Sequence, residues 1–466
     1  MRFKPPTMLR SRKLRGVIAA GAVLAAVGGT AFVQAAPAMA DPQPTLVAVG
    51  SDTIQDVWNE FTNGSPAASG QAAVTAPLAA GLVASYNATN PATGNFHEII
   101  TPQDGWSVTH GTIPSAGLPA GDCSFARPNG SGEGVASLRL ALNQSSTNAT
   151  KAFAPKAPLG CVDIARSSSG PDFTDNNTAV DLQYVPFAID AVTGATGPSS
   201  CTPTGACPTF TADLGNGNTQ SVNTVASTLG SDIGTATVTQ VSSLYNCNPT
   251  LIGSTTYWPT GSSTPEPTGA VAIDLYVPQA GSGTRSFWEG TSAANFPDTT
   301  VDAATNGCVH DFIVGGVLGF NATTQPVKVP VEEHDGTAVS TDPIGYGPFS
   351  IAQYISQQNP LHNPRFHGAV LQDLNSTPPF NTAGSPSSGL NTSFPVLRDV
   401  YDVVKLSRLT TAGDPIDTLF NGVGSTICKQ KPIIQSFGFA LMGSGVFNGL
   451  SCGAISTAAP DLEGAP

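Results

Sequence analysis

Four short loops in this chain carry the residue types that hold an anion. They are Gly50-Ser51-Asp52-Thr53, Gly130-Ser131-Gly132-Glu133-Gly134, Arg166-Ser167-Ser168-Ser169-Gly170 and Gly281-Ser282-Gly283-Thr284. Glycine lets backbone approach a ligand closely, and serine and threonine add hydroxyl donors. Where a helix follows such a loop, its first N–H groups have no intrahelical partner and its dipole adds partial positive charge, which favours an anion. Each loop taken alone reads better as an N-cap, and it is their recurrence in one chain that favours an anion. Arginine sharpens the pattern. Beyond residue 40 there are seven, at 127, 139, 166, 285, 365, 398 and 408. Arg127 precedes Gly130 by three residues, Arg166 directly precedes Ser167, and Arg285 directly follows Thr284. Their planar forks suit a tetrahedral oxyanion, although pairing with acids such as Glu133 or Asp163 is the plain alternative. The candidate binding set is Ser51, Asp52, Thr53, Arg127, Gly130, Ser131, Arg166, Ser167, Ser168, Gly281, Ser282, Gly283, Thr284 and Arg285.

The flanking pattern says what positions these loops. Thr45–Val49 (TLVAV) is a buried-strand run, and Ile54, Val57, Trp58 and Phe61 after it recur at helical spacing. Val135, Leu138 and Leu142 do the same after the second loop. Cys161–Ala165 and Ala270–Val277 (AVAIDLYV) read as strands that run into the serine and Gly-Ser-Gly-Thr loops. Strands alternating with helices point to an α/β architecture with substantially parallel sheet. Further helices are expected over Ser350–Gln357 and Val396–Leu406, the second from Val400, Val403 and Val404. Gly/Ser/Thr/Pro-rich stretches at 193–231, 253–269 and 374–392 read as long loop insertions.

Composition narrows the class. The chain has 466 residues and a formal charge of −13, which excludes a basic nucleic-acid stripe. Residues 1–40 hold six basic residues, no acid, an apolar run from Val17 to Val33 and Ala38-Met39-Ala40; this reads as a secretory signal peptide cleaved after Ala40. Six of the 19 basic residues and none of the acids lie there, so the remainder carries −19. No later run reaches the ~18 apolar residues of a spanning helix, and no lipid-anchor cysteine follows the cleavage site, so a secreted, extracellular protein is expected. All eight cysteines (123, 161, 201, 207, 247, 308, 428, 452) follow it, an even count that reads as disulfides. Chain order suggests Cys123–Cys161, Cys201–Cys207, Cys247–Cys308 and Cys428–Cys452. No metal site and no cofactor are expected: there is no CxxC, His362 and His367 are spaced as solvated loop histidines, and Glu332-Glu333-His334-Asp335 before Gly336 reads as a solvated acidic loop, with hard-cation binding or acid–base work as the alternative. Gly449-Leu450-Ser451-Cys452-Gly453 matches GxSxG, but no histidine follows to complete a hydrolase triad.

With these segments in hand, the chain resembles the periplasmic phosphate-binding proteins, the substrate-binding components of phosphate ABC transporters, in a type II periplasmic-binding fold. The matching segments are VGSDT (49–53), NGSGEG (129–134), VDIARSSSG (162–170), YVPFAIDAV (184–192), AGSGTRSFW (280–288), IGYGPFSIAQYI (344–355) and SFPVLRDVYDVV (393–404), in the family's order. The resemblance implies two α/β lobes, 41–186 with 395–466 and 187–394, closing on a dehydrated oxyanion. Thr53, Ser131, Ser282, Gly283 and Thr284 match the family's donors, and Ser168 falls where the family often has an acceptor Asp. The family's Arg and Asp before the Gly-Ser-Gly-Thr loop fall near Pro278 and Ala280 and are absent here. Asp52 is then the expected acceptor for a protonated phosphate. The implied function is non-enzymatic: capture of inorganic phosphate or a related oxyanion, with an ABC permease as partner, no nucleic acid and no membrane span after signal cleavage. The alternatives are an extracellular surface or matrix protein reusing the fold with an altered site and, third, a secreted phosphatase-like enzyme.

Overall fold

Nine strands form the main path of one large mixed sheet: β1 (Leu46–Gly50), β2 (Val83–Ser85), β3 (Ile164–Ser167), β4 (Leu182–Thr196), β5 (Thr250–Ile252), β6 (Thr255–Pro259), β7 (Val271–Tyr276), β8 (Gly345–Ser350) and β9 (Leu397–Lys405). The computed structural model describes residues 45–65, 73–89, 97–100, 125–142, 160–171, 182–201, 207–213, 219–290, 294–297, 301, 307–313, 329–359, 362–443, 446–455 and 463–464. Residues 1–40, expected to be a signal peptide, and Cys123 lie outside them.

The strand order is β2-β1-β3-β9-β4-β8-β7-β6-β5. One wing pairs β1 in parallel with β2 and β3, and the other pairs β7 in parallel with β6 and β8. Between the wings the two longest strands, β4 and β9, run antiparallel to each other, from Leu397 opposite Ala191 to Lys405 opposite Leu182. The α/β class read from strand–helix alternation is the class observed, with its parallel pairing in both wings.

Burial explains the strands. All five residues of β1 are buried, and they alternate: Leu46 and Ala48 belong to one apolar cluster, Val47 and Val49 to another. A strand covered on both faces reads as a continuous apolar run rather than an alternating one. Helix α1 (Gln55–Asn63) covers the first face with Val57, Trp58 and Phe61, and helix α2 (Ser131–Ala141) covers the second with Val135 and Leu138. Each fully buried Trp58 or Phe61 side chain contributes about 1.5–3 kcal/mol relative to exposure. A third cluster surrounds β6–β8 and takes Ile189 to Ala195 from β4, which therefore serves both wings.

Two expectations are corrected. The stretches 193–231 and 253–269, read as loop insertions, contain sheet strand: the buried end of β4 through Thr196, and β6 at Thr255–Pro259. Val396–Leu406 is not a helix: Leu397–Lys405 is strand β9, buried at every residue but the last. Val400, Val403 and Val404 fit a helical face, but a strand buried on both faces produces the same run, and β-branched valine packs well there. The Ser350–Gln357 expectation holds, with helix Ile351–Ser356 capped by Ser350, whose Oγ accepts from Gln353 N. Disulfides Cys201–Cys207, Cys247–Cys308 and Cys428–Cys452 are present as chain order suggested. Among the described residues no helix is long and apolar enough to cross a membrane.

Candidate functional site

The loops meet at the carboxyl ends of the parallel strands, where open α/β sheets bind ligands. β1 ends at Gly50 and leads through Ser51–Thr53 into α1; β3 ends at Ser167 beside Ser168; Gly130 opens α2; and β7 leads to Ser282, which caps helix α3 (Gly283–Glu289). Four hydroxyls converge from these loops. Ser168 N donates to Ser131 Oγ (2.9 Å), the Ser131 and Ser168 oxygens are 3.2 Å apart, and Thr53 Oγ1 lies 3.3 Å from Ser168 Oγ. Close backbone approach holds them together. Gly132 N donates to Gly281 O (3.0 Å), and a Cβ on Gly130, whose φ is +98°, would stand 2.5 Å from that carbonyl. A Cβ on Gly283 would stand 2.3 Å from Ser131 Oγ and 2.8 Å from Ser168 Oγ. Glycine is the residue that fits at both.

A carboxylate sits against these hydroxyls, and it comes from the acidic segment 332–335. Thr53 Oγ1 donates to Glu333 Oε1 (2.6 Å) and Ser282 Oγ donates to Glu333 Oε2 (3.1 Å). Ser282 Oγ at the same time accepts from Thr284 N and Arg285 N, so the capping reading of this serine is realised alongside the contact. The solvated-loop reading of Glu332–Asp335 is therefore overturned: Glu333 is fully buried and His334 nearly so. Burial pushes the Glu333 carboxyl up, with Asp52 adding repulsion. Glu332 rises further, from burial and then from the Asp52 and Glu333 charges. Burial and then Arg365 bring His334 down to about 4. His362 and His367 do lie in loops, but packed rather than solvated: His367 stacks on Phe210 (3.9 Å) and pairs with Asp335 (3.6 Å), while His362 stacks on Phe437 (4.1 Å).

The three flanking arginines are committed elsewhere. Arg166 is fully buried and donates to the carbonyls of Ala48, Gly50, Ser51 and Tyr86 and to Ser85 Oγ, so it braces the first loop from behind. Burial lowers it to about 10, which leaves it charged at neutral pH. Arg285 pairs with Glu289 and Asp311, both at 2.8 Å, which is the carboxylate-pairing alternative. Arg127 donates to Asn87 O and lies over the Tyr86 ring. Ser167 Oγ donates to Ser169 O, and Ser51 N donates to Arg166 O. Asp52 Oδ1 accepts from Thr53 N, while its Oδ2 faces His334 Nδ1 at 3.4 Å; the carboxylate on the hydroxyls is Glu333 instead.

The arginine that donates to the Gly-Ser-Gly-Thr loop is one that loop-flanking position did not single out. Arg398 in β9 stands directly opposite Asp190 in β4. It donates to Asp190 Oδ2 through Nη2 (2.7 Å) and Nε (3.1 Å), and through Nη1 to Thr284 Oγ1 (2.7 Å). A buried Arg–Asp pair is thus present beside the Gly-Ser-Gly-Thr loop, supplied by the two central strands. A signal existed in the sequence: Asp190 and Arg398 each interrupt a long apolar run, and a charge buried in a sheet needs a partner. Gln353 also enters from below, its Nε2 donating to Thr53 O. Cys452 of the GxSxG match is disulfide-bonded to Cys428.

No family profile and no characterised protein sequence matches this chain. Solved structures similar to it include an ABC-type phosphate transport receptor from Vibrio cholerae, at 10% identity and a TM-score of 0.34, covering 85% of this chain and 99% of that one. PstS from Borrelia burgdorferi is similar at 12% identity and a TM-score of 0.32, with 86% and 99% covered. A possible phosphate binding protein from Planctomyces limnophilus is similar at 11% identity and a TM-score of 0.27, with 60% and 76% covered. Similarity of this depth assigns no role to any residue here.

Proposed function

We propose that this chain is a secreted oxyanion-binding protein that captures inorganic phosphate between two lobes, 41–186 with 395–466 and 187–394, for delivery to an ABC permease. The observation that carries the reading is the convergence of Thr53, Ser131, Ser168 and Ser282 from four separate loops onto one point, where two of them donate to a carboxylate. A carboxylate is itself an oxyanion, so the hydroxyls are already oriented as donors to paired anionic oxygens. On this reading Thr53, Ser131 and Ser168 belong to one lobe and Ser282 and Glu333 to the other, so a ligand touching both stabilises the closed form. Glu333 then acts as the acceptor for the proton of HPO4²⁻, a bond that sulfate, which carries no proton at neutral pH, does not make. The disulfides support an oxidising compartment.

The same carboxylate favours a second reading, in which the fold serves as an extracellular surface or matrix protein whose site is filled by its own side chain. Calorimetry separates the two. The chain from residue 41 is titrated with phosphate, arsenate, sulfate and molybdate, in parallel with Glu333→Gln. Micromolar or tighter phosphate binding, with preference over sulfate lost in Glu333→Gln, is expected. No heat from any anion with either protein, in folded samples, sinks capture and leaves the second reading.

A further inference from the structure

We propose that Asp52, Glu332, Glu333 and His334 form a binding site for one divalent transition-metal cation. Each offers one ligand atom, and these atoms lie within 4.8 Å of one another. Four tetrahedral bonds of ~2.0–2.2 Å place ligand atoms roughly 3.3–3.6 Å apart, so an ion draws the most distant pair closer by roughly an ångström, shared between the two side chains.

What the group lacks is as informative as what it contains. Asp52 Oδ2, Glu332 Oε2 and His334 Nδ1 are all buried without a hydrogen-bond partner. Asn129, 1% exposed, leaves its Oδ1 equally unpartnered while its amide nitrogen lies 3.5 Å from Glu332 Oε1. Buried polar atoms are nearly always paired, and each orphan costs about 1–3 kcal/mol. Apart from the approach of Asp52 Oδ2 to His334 Nδ1 at 3.4 Å, the three atoms on Asp52, Glu332 and His334 have no partner, and one remedy serves all three: a cation that accepts a lone pair from each. Three carboxylates at this distance also repel one another, and a cation between them relieves that repulsion. Existing hydrogen bonds orient the ligands, with Gln279 Nε2 donating to Glu332 Oε1 (2.8 Å) and Thr53 and Ser282 holding Glu333. An ion has a way in, because Asp52, Asn129, Glu332 and His334 line a cavity of about 360 Å³.

The donor set names the class of ion. Three carboxylates with one imidazole suit Mn²⁺ or Zn²⁺ better than Mg²⁺ or Ca²⁺, which take oxygen-only shells, and no thiolate is present to select a softer metal.

The test uses the whole chain from residue 41, disulfides intact, stripped with chelator in phosphate-free buffer. Mn²⁺, Zn²⁺, Mg²⁺ and Ca²⁺ are titrated separately by calorimetry, with thermal unfolding followed alongside. One equivalent of Mn²⁺ or Zn²⁺ is expected to bind and to raise the midpoint, at least tenfold tighter than Mg²⁺ or Ca²⁺. Asp52→Asn and His334→Gln each weaken binding at least tenfold. Asp52→Asn also leaves the metal-free midpoint unchanged or higher, because one repelling charge is gone; this separates a lost ligand from a lost fold. Absence of heat and of a midpoint rise with all four metals overturns the proposal. So does binding that the folded double variant Asp52→Asn/His334→Gln retains in full. Metal binding without phosphate binding upholds this site and sinks phosphate capture, so the two proposals fail separately.

Discussion

Arg398→Met tests whether the central strands and the Gly-Ser-Gly-Thr loop are tied by one buried charge pair. Arg398 and Asp190 side chains are 2% and 0% exposed. Three hydrogen bonds leave the guanidinium, two to Asp190 Oδ2 and one to Thr284 Oγ1. Asp190 keeps only Ser350 Oγ (2.9 Å) and Ala352 N (3.0 Å) when the arginine goes. Removing one partner of a buried pair leaves an uncompensated charge and costs about 3–5 kcal/mol. Of a total stability on the order of 5–15 kcal/mol, that is a large share, and it raises the unfolding constant by roughly two to three and a half orders of magnitude. Asp190→Asn in the same chain removes the stranded charge while keeping an acceptor for Ser350, so the double variant recovers at least half of the loss. Denaturant unfolding with disulfides intact reads all three proteins. A loss below about 1 kcal/mol for Arg398→Met, or a double variant as unstable as the single, refutes the assignment of an interdependent pair.

Two further expectations follow from the same geometry. Gly283→Ala places a methyl 2.3 Å from Ser131 Oγ, inside the hydroxyl cluster; overpacking of this kind costs ~1–3 kcal/mol, and phosphate affinity by calorimetry falls at least tenfold, whereas unchanged stability and affinity contradict the convergence described. Asp402, which accepts from Trp58 Nε1, has its carboxyl pushed up to about 8 by burial, against the Trp58 hydrogen bond and the Arg166 charge. Its ordinary value is 3.8, so between those limits the folded chain holds a proton that the unfolded chain has released. Its stabilising contribution is complete below about pH 4 and is lost as the pH rises toward about 8, by at most ~1.4 kcal/mol per pH unit. Asp402→Asn flattens that part of the stability profile; an identical slope from pH 5 to 8 in both proteins rejects the assignment.

Much of the architecture was legible locally. The apolar runs at 45–49 and 270–277 became β1 and β7, and Ser350 capped the helix expected after it. The Gly-Ser loops marked where chain turns from strand to helix, because small residues and hydroxyls are what such a turn requires. Cysteine order gave three disulfides among the described residues. Where the local signal was ambiguous, tertiary structure decided: the valines of 400–404 fit a helix as well as a strand until β4 is laid alongside.

The site divides in the same way. Sequence by itself determined the supply of donors, since Thr53, Ser131, Ser168 and Ser282 are carried by recognisable loops. Tertiary structure alone decided what they face. Thr53 and Glu333 are 280 residues apart, and Arg398 and Asp190 are 208 apart. Proximity in sequence marked Arg127, Arg166 and Arg285, yet their forks went to carbonyls, to Glu289 one turn along the same helix and to Asp311 from another segment. The physical reason is that a buried charge must find a counterpart but carries no local mark of which one. A hydroxyl loop is written by backbone conformation within a few residues; the partner of a charge is chosen by which strands lie side by side.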